Sequence, residues 1–366
     1  MKKIWDFITV SVCLTVCILI GGLTLILPKK SFSAQENRAL SVAPILSAQS
    51  LVSGKYFRQA ANFFSDHIIF RSGFVRGRTV AELCIGRQEV GGVLFYGDGS
   101  LVQRGLDASE KLLIQNLDAI AKIEEQVKCV VVPRAIDAVG LTEAAGTSEA
   151  AEYFCDLAYS HFDLGGKLLS ELRRANLDRR VYYATDHHLT SYGAYVAYSF
   201  LGEILGYVPH DSKEFEIQTV TSDFLGTSYS AAGLLSFMRD SVELWRYYDD
   251  DELVLTRESG EIPLYDFSFL GEKDKYRVFL GGNHGIVQVN GIGERPKLLL
   301  IKDSYANALV PFLALHFDIT VVDPRYTDVC FAELAEGGEY DEILIFCGID
   351  TLSTGNDFAR FFRMGD

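Results

Sequence analysis

The chain has 366 residues, 48% hydrophobic, 23% charged and 12% aromatic, with a formal net charge of −15. That balance excludes a disordered or collagen-like chain and leaves room for one large domain and more. The residues before Ser31 sum to +3, so residues 31–366 carry −18. Such a surface repels phosphate backbones, which weighs against a nucleic-acid partner and against a strongly polyanionic substrate.

Phe7 to Leu27 is a run of 21 uncharged, mostly apolar residues, and roughly 20 suffice to cross a bilayer as a helix. Lys2 and Lys3 favour an N-terminus held inside, although Lys29 and Lys30 weaken that bias. Ser31, Ser33 and Ala34 are small enough for a cleavage site, but cleavable apolar regions run only ~7–15 residues. The expectation is a single-pass anchor in the cytoplasmic membrane, with secretion after cleavage as the alternative. In both cases everything after residue 30 lies outside the cytoplasm. The expected organisation is a stub over 1–6, the anchor over 7–27, and a juxtamembrane linker with an N-terminal segment over 28–90. An α/β domain follows over 91–366, with an insertion around 211–290.

Along the chain, Ser31 to Pro44 reads as polar linker, and 51–84 as helical periodicity (Tyr56, Ala60, Phe63, Phe64) broken by a loop at Ser65-Asp66-His67. Val93 to Tyr96 followed by Gly97-Asp98-Gly99 predicts a strand and turn. The spacing then predicts a helix over 108–126, a strand over Lys128–Val132, one helix over 149–175, a strand at Val181–Tyr183 and a helix over Tyr192–Leu205. Residues 211–290 are irregular, with an acidic turn at Asp249-Asp250-Asp251. Strands at Lys297–Ile301, Ile319–Val322 and Glu342–Phe346, with a helix over Tyr305–Leu315, complete the alternation. Short apolar strands alternating with helices indicate a mostly parallel sheet covered on both faces, a three-layer α/β/α sandwich. Five cysteines lie beyond the apolar run, an odd number with no metal-ligand spacing, so no disulfide framework is expected, and Cys129 and Cys347 read as buried strand residues.

Ligands of open parallel sheets bind beyond the carboxyl ends of the strands, and two segments bring reactive side chains there. In Lys302-Asp303-Ser304-Tyr305-Ala306-Asn307 the serine follows a strand, where the amides of a helix start would stabilise an oxyanion; Asp and Ser are equally the favoured helix caps. In Thr185-Asp186-His187-His188-Leu189-Thr190 a histidine can serve as base and an aspartate two residues earlier can fix its tautomer. Extended geometry puts Asp186 and His188 on one side, with His187 left to bind backbone or pack at the helix start. A plain capping role for Thr185 or Asp186, and a metal site made from Asp186-His187-His188 as in DHH phosphoesterases, are the competing readings. The latter lacks the further aspartates it needs.

Taken together these blocks resemble the DHHW family of anchored or secreted bacterial proteins, which is SGNH-hydrolase-like. The resemblance rests on Glu36-Asn37-Arg38, Ser53-Gly54 with Tyr56, and Asp66 with Arg71. It continues through Thr185 to Thr190 with Gly193-Ala194-Tyr195, Leu280 to His284, Lys302 to Asn307 with Pro311-Phe312, and Asp323 to Tyr326. The family is similar in turn to the periplasmic alginate O-acetylation proteins, in which an Asp-x-His motif precedes the serine, a circular permutation of ordinary SGNH hydrolases. The resemblance implies Ser304 as nucleophile, His188 as base and Asp186 as its orienter. It implies acetyl transfer to or from a cell-surface polysaccharide without a cofactor or metal, by an O-acetyltransferase or acetylesterase partnered by a membrane-bound O-acyltransferase. Asn283 is the candidate oxyanion donor, since Phe346 to Asp350 has no asparagine where SGNH hydrolases have one. Tyr305 and Arg325 are candidate substrate-binding residues, a surface salt bridge being the other reading of Arg325. Leu189 stands where the family motif has tryptophan, which puts an aromatic wall of the site in doubt. The alternative function is a non-catalytic glycan-binding or assembly component of an O-acetylation system.

Overall fold

The structure is a computed structural model describing residues 2–36, 38–105, 108–123, 127–139, 148–248, 253–257, 259–290 and 294–363. Asn37 and the expected turn at 249–251 lie outside the described residues. Two compact units emerge, one of residues 1–91 with 230–235, the other of 92–229 with 236–366.

The first unit is helical. Helix α1 (Lys2–Ile26) holds an apolar stretch, Ile4–Ile26, long enough to cross a membrane, with mean hydropathy 2.4. Helices α2 (Lys55–His67) and α3 (Arg71–Cys84) follow. The loop expected at Ser65-Asp66-His67 is instead the last turn of α2, and the chain breaks at Ile68–Phe70, where Phe70 takes a left-handed φ of 60°. Asp66 is stable within a helix because Arg38 and Ser41 satisfy its carboxylate from outside. The stretch expected as linker contains a short hairpin, Phe32–Ser33 against Arg38–Ala39.

The second unit is built on seven strands: β1 (Val127–Val132), β2 (Val254–Arg257), β3 (Gly260–Pro263), β4 (Ile286–Asn290), β5 (Lys297–Lys302), β6 (Asp318–Val322) and β7 (Glu342–Gly348). Their order is β3-β2-β4-β6-β5-β7-β1. β6, β5, β7 and β1 are parallel, with Leu300 opposite Val321 on one side and Leu344 on the other. β4, β2 and β3 extend the sheet antiparallel. The sheet is therefore mixed rather than mostly parallel, and the region expected as an insertion supplies one whole side of it. Those strands escaped the apolar-run criterion because they alternate, as β4 does with Val287 and Val289 buried and Gln288 exposed.

Helices α4 (Glu110–Ala121), α5 (Ser148–His161), α6 (Leu164–Ala175), α7 (Ser191–Leu205), α8 (Ile349–Thr354) and α9 (Asp357–Phe361) accompany the sheet. Successive strand residues feed two separate cores. Val130, Leu298, Leu300, Val321 and Phe346 pack with α6 and α7. Cys129, Val131, Leu299, Ile301 and Cys347 pack with α4, α8 and α9. The single helix expected over 149–175 is broken at Phe162–Asp163 into α5 and α6. The strand expected at Val181–Tyr183 is only a bridge between Tyr182 and Leu189. The helix expected over Tyr305–Leu315 is a 3₁₀ turn, Ser304–Ala306, then one α turn, Val310–Leu313. Pro311 explains the interruption, since it is tolerated in a first helical turn but breaks an interior.

Candidate active site

The Asp-x-His loop is closed by its own backbone. Tyr183 N–H donates to His188 O at 3.2 Å, Thr190 N–H donates to Val181 O at 2.9 Å, and Tyr182 bridges Leu189. The tip, Asp186-His187, is thereby held out of the hydrophobic core. Thr190, not Thr185 or Asp186, caps α7, accepting from Gly193 N–H at 3.0 Å. Thr185 acts elsewhere, since its hydroxyl and N–H, with Ala184 N–H, all donate to the buried Asp240 at 2.6–2.8 Å. Burial raises the pKa of Asp240 despite those bonds.

Asp186 is buried and fully bonded. Its Oδ1 accepts from His188 N–H at 3.0 Å and lies 2.5 Å from His188 Nδ1; its Oδ2 accepts from Thr227 N–H at 2.6 Å and the Thr227 hydroxyl at 3.0 Å. Gly226 makes this approach feasible, because a Cβ there would fall 2.1 Å from Asp186 Oδ2. Burial works against the charge of Asp186, but the two histidines and these donors hold its pKa well below the usual carboxylate range. Backbone binding, one of the two placements expected for His187, is not what its Nδ1 makes; that atom meets the Thr227 hydroxyl at 2.5 Å. Burial, then the neighbouring His188, drives the His187 pKa down to about 3, so this ring is neutral near pH 7.

His188 stacks on Tyr276, with ring centroids 4.0 Å apart and planes 10° apart. The Tyr276 hydroxyl donates to the carbonyl of Ser304 at 3.1 Å and accepts from Ala308 N–H at 3.3 Å. One tyrosine thus ties the histidine loop to the serine turn. Tyr305 adds a second tie, its ring edge-on to His187 at 5.6 Å and to His188 at 5.7 Å. His188 Nε2 is buried and has no hydrogen-bond partner among the described residues, so it is not bonded to the Ser304 hydroxyl in this structure.

Ser304 is half-buried at the carboxyl end of β5, first in its 3₁₀ turn. The following amides are not free for an oxyanion. Tyr305 N–H donates to Asp303 Oδ1 at 2.9 Å, Ala306 N–H to Asp303 O and Asn307 N–H to Ser304 O. Asp303, fully buried, also accepts from Gly348 N–H at 2.8 Å and the Thr351 hydroxyl at 2.6 Å, locking the turn to the end of β7. Gly348 is required there, since a Cβ would meet the Tyr305 ring at 2.4 Å.

Beside the turn, buried Lys302 donates to Asn307 Oδ1 at 2.7 Å and Asn283 Oδ1 at 3.3 Å, and Asn307 Nδ2 donates to Asn283 Oδ1 at 3.1 Å. A lysine only donates, so the Asn283 oxygen must face it and the Asn283 NH₂ must face away. Burial lowers the Lys302 pKa to about 8, against the pull of Asp323 at 3.6 Å. Arg325 grips the same buried Asp323 with Nε at 2.9 Å and a terminal nitrogen at 2.7 Å, so it anchors a buried carboxylate rather than forming a surface bridge. Asn283 also lines a groove of about 750 Å³ with Arg257, His284, Gln288 and Tyr326 among its walls. Leu189, in the place of the family tryptophan, is wholly buried in the core, so its side chain forms no wall of the site.

Sequence reasoning missed Thr227, Asp240, Tyr276, Asn307 and Asp323 as supports. Asp323 and Asn307 belong to the motif blocks, but nothing in spacing connects Thr227 or Tyr276 to the histidine loop. Asp186, His187 and His188 offer ligand atoms within 4.8 Å of one another. Both Asp186 oxygens and His187 Nδ1 are already engaged by protein groups.

The second unit is a mixed α/β fold that gathers an Asp-x-His loop and a serine turn at one edge of its sheet. The chain belongs to the DHHW family, whose model, described as DHHW protein, matches residues 90–322. No curated protein matches it in sequence. Among solved structures it is similar to a DHHW family protein from Eubacterium siraeum, with 20% identity, 74% of this chain and 95% of that one covered, and TM-score 0.55. It is similar to Bacillus cereus PatB1 with a sulfonyl adduct, with 16% identity, 74% and 99% covered, and TM-score 0.57. The O-acetyltransferase domain of Pseudomonas putida AlgJ aligns at 15% identity over 74% and 95%, with TM-score 0.44.

Proposed function

We propose that this protein transfers an acyl group, most simply acetyl, to or from a cell-surface polysaccharide outside the cytoplasmic membrane. Ser304 Oγ attacks the acyl carbonyl and passes its proton to His188 Nε2; the leaving group takes that proton as the acyl-serine ester forms. A sugar hydroxyl or water then attacks the ester, again giving its proton to His188, and Ser304 recovers it. Asp186 stays ionised, holding His188 with its proton on Nδ1 and stabilising the imidazolium. The Asn283 NH₂, turned outward by Lys302, would donate to the oxyanion, and the groove beyond Asn283 would take the acceptor sugar. Transfer from a membrane donor would need a membrane-bound acyltransferase as partner.

The observation that carries this reading is the His188 ring: Nδ1 bound to a buried carboxylate, Nε2 buried without a partner, and its stacking tyrosine bonded to the serine turn. Support also comes from family membership and from PatB1, a fold relative seen with a sulfonyl adduct. The test is intact-mass analysis of the full chain in detergent after exposure to an activated acetyl ester. One acetyl group should appear and vanish in Ser304→Ala. Equal acetylation of both proteins would remove Ser304 as nucleophile, and no acetylation of either would favour a non-catalytic glycan-binding component.

A further inference from the structure

Two helices of the first unit carry apolar stripes among their exposed residues. On α2, Phe57, Ala61 and Phe64 share one face by helical spacing and are exposed, the two phenylalanines to 63% and 44%. The polar Asp66 and His67 turn inward instead, to Arg38, Ser41 and the carbonyl of Lys30. On α3, Phe74 and Ala81, with Phe70 before the helix and Ile85 after it, make a second exposed stripe, with the exposed Arg78 among them. A helix facing water keeps such residues inside.

The corner between these helices rests on the end of α1. Ile69 N–H donates to Thr24 Oγ1 at 3.2 Å, and His67 Nε2 meets Lys30 O at 3.0 Å. Thr24 is buried by this packing and belongs to the apolar stretch Ile4–Ile26. At ~1.5 Å per residue it lies only about 3 Å below the end of that stretch. A four-membered ionic clamp fixes the corner. Arg71 Nε reaches Glu36 at 2.6 Å, and Arg38 binds Asp66 through two nitrogens at 2.6 and 3.2 Å while also contacting Glu36. The blocks Glu36-Arg38 and Asp66-Arg71, which carried part of the family resemblance, meet here.

Charge is divided in the same way. Residues 28–91 hold nine Lys or Arg against four Asp or Glu, a net +5, although the whole chain is −15.

We propose that α2 and α3 lie in the interfacial layer of an anionic phospholipid leaflet, at the end of α1, with Phe57, Phe64, Phe70 and Phe74 among the acyl chains. The first unit is then a membrane-seated base. Aromatic side chains on one face, flanked by basic residues such as Lys29, Lys30 and Arg58, are the pattern such a surface binds. The proposal rests on α1 being retained as a membrane span.

The test places the photoreactive analogue benzoylphenylalanine singly at Phe57, Phe70 or Phe74 in the full chain, reconstituted in phosphatidylglycerol-containing vesicles. Control positions are Leu14, exposed at mid-span, and Asn62, turned about 140° away from Phe57 on α2. Lipid adducts at the three phenylalanine positions should exceed those at Asn62 by about tenfold and approach those at Leu14. Lipid adducts at Leu14 with none, or with protein adducts, at Phe70 and Phe74 would overturn the docking and leave the span standing. No lipid adduct at Leu14 would overturn the span, and the docking with it.

Discussion

Asp186→Asn separates an orienting carboxylate from a merely structural one. Four donors converge on Asp186, two from His188 on Oδ1 and two from Thr227 on Oδ2. An asparagine has one acceptor oxygen and one NH₂. With its oxygen toward Thr227, the NH₂ opposes His188 N–H, and Nδ1 must become an acceptor. The ring proton then moves to Nε2, the atom needed to take the proton of Ser304. With its oxygen toward His188, the NH₂ opposes Thr227 N–H; the hydroxyl can rotate to accept, but the amide cannot. Either arrangement strands one buried backbone N–H, at ~1–3 kcal/mol, and replaces charge-assisted bonds by neutral ones. A stability loss of ~2–4 kcal/mol follows. The wrong tautomer and the missing counter-charge should lower turnover ~10³–10⁴-fold. Single-turnover acetylation by an activated ester reads the second effect and a urea midpoint the first. An Asp186→Asn variant that is destabilised but acetylates within about tenfold of the parent would refute the orienting role and leave Asp186 as a loop brace.

The two adjacent histidines should part company. His188→Ala should abolish acetylation in a folded protein, whereas His187→Ala, which loses one bond to Thr227, should cost ~1 kcal/mol in a thermal melt with chemistry retained; the reverse pattern would reassign the base. Lys302→Met leaves Asp323 its two bonds from Arg325 but strips the ammonium donor from Asn307 Oδ1 and leaves Asn283 Oδ1 only the Asn307 amide, so a stability loss of about 3 kcal/mol is expected, with slower acetylation at unchanged KM. A stability loss with an unchanged acetylation rate would detach Lys302 and Asn283 from the chemistry. Acid stability offers two variants of opposite sign. His187 titrates at about 3 in the fold against ~6.5 unfolded, so its contribution is lost as pH falls from 6.5 toward 3. Asp350, which burial raises to about 6 against the usual ~3.9, contributes stability present below pH 4 and lost as pH rises through 6. Between pH 4 and 6 the two oppose each other, so urea midpoints should fall less steeply on acidification for His187→Gln and more steeply for Asp350→Asn. Parallel slopes for all three proteins would contradict the assigned shifts.

What the sequence revealed of the fold follows how each strand is buried. β1, β5 and β7 are covered on both faces, so their residues form unbroken apolar runs, recognisable without knowledge of their partners. β2 and β3 lie at the other side of the sheet and mix polar with apolar residues, and β3 even contains Pro263, tolerated on an edge strand. Local pattern cannot distinguish such strands from a loop-rich insertion, because their pairing is decided by neighbours far along the chain. Helix breaks were hidden for a similar reason. The bend between α5 and α6 admits Gly165 against β1, where a Cβ would fall 2.5 Å from Val131 O, and that constraint exists only once the helix has docked.

The candidate site divides along the same line. Asp186 and His188 are two residues apart, and a short loop fixes their geometry, so their pairing could be read directly. Ser304 was singled out as a candidate from its place at a strand end. What ties the histidine loop to the serine turn is Tyr276, 88 positions beyond His188, and what braces the loop itself is Thr227, 41 positions beyond Asp186. Neither lies in a segment whose spacing announces chemistry, and Tyr276, set among Lys273, Asp274, Lys275 and Arg277, reads as part of a charged surface turn. Tyr276 is in fact buried core by one face and a polar tie by its hydroxyl, as a buried tyrosine must be if its oxygen is to be satisfied. The Asp186–His188 pair is thus local in sequence, while the groups that align it with the serine turn are not. A chain that kept the Asp-x-His and serine motifs but lost Tyr276 or Gly226 would display the motif without its geometry.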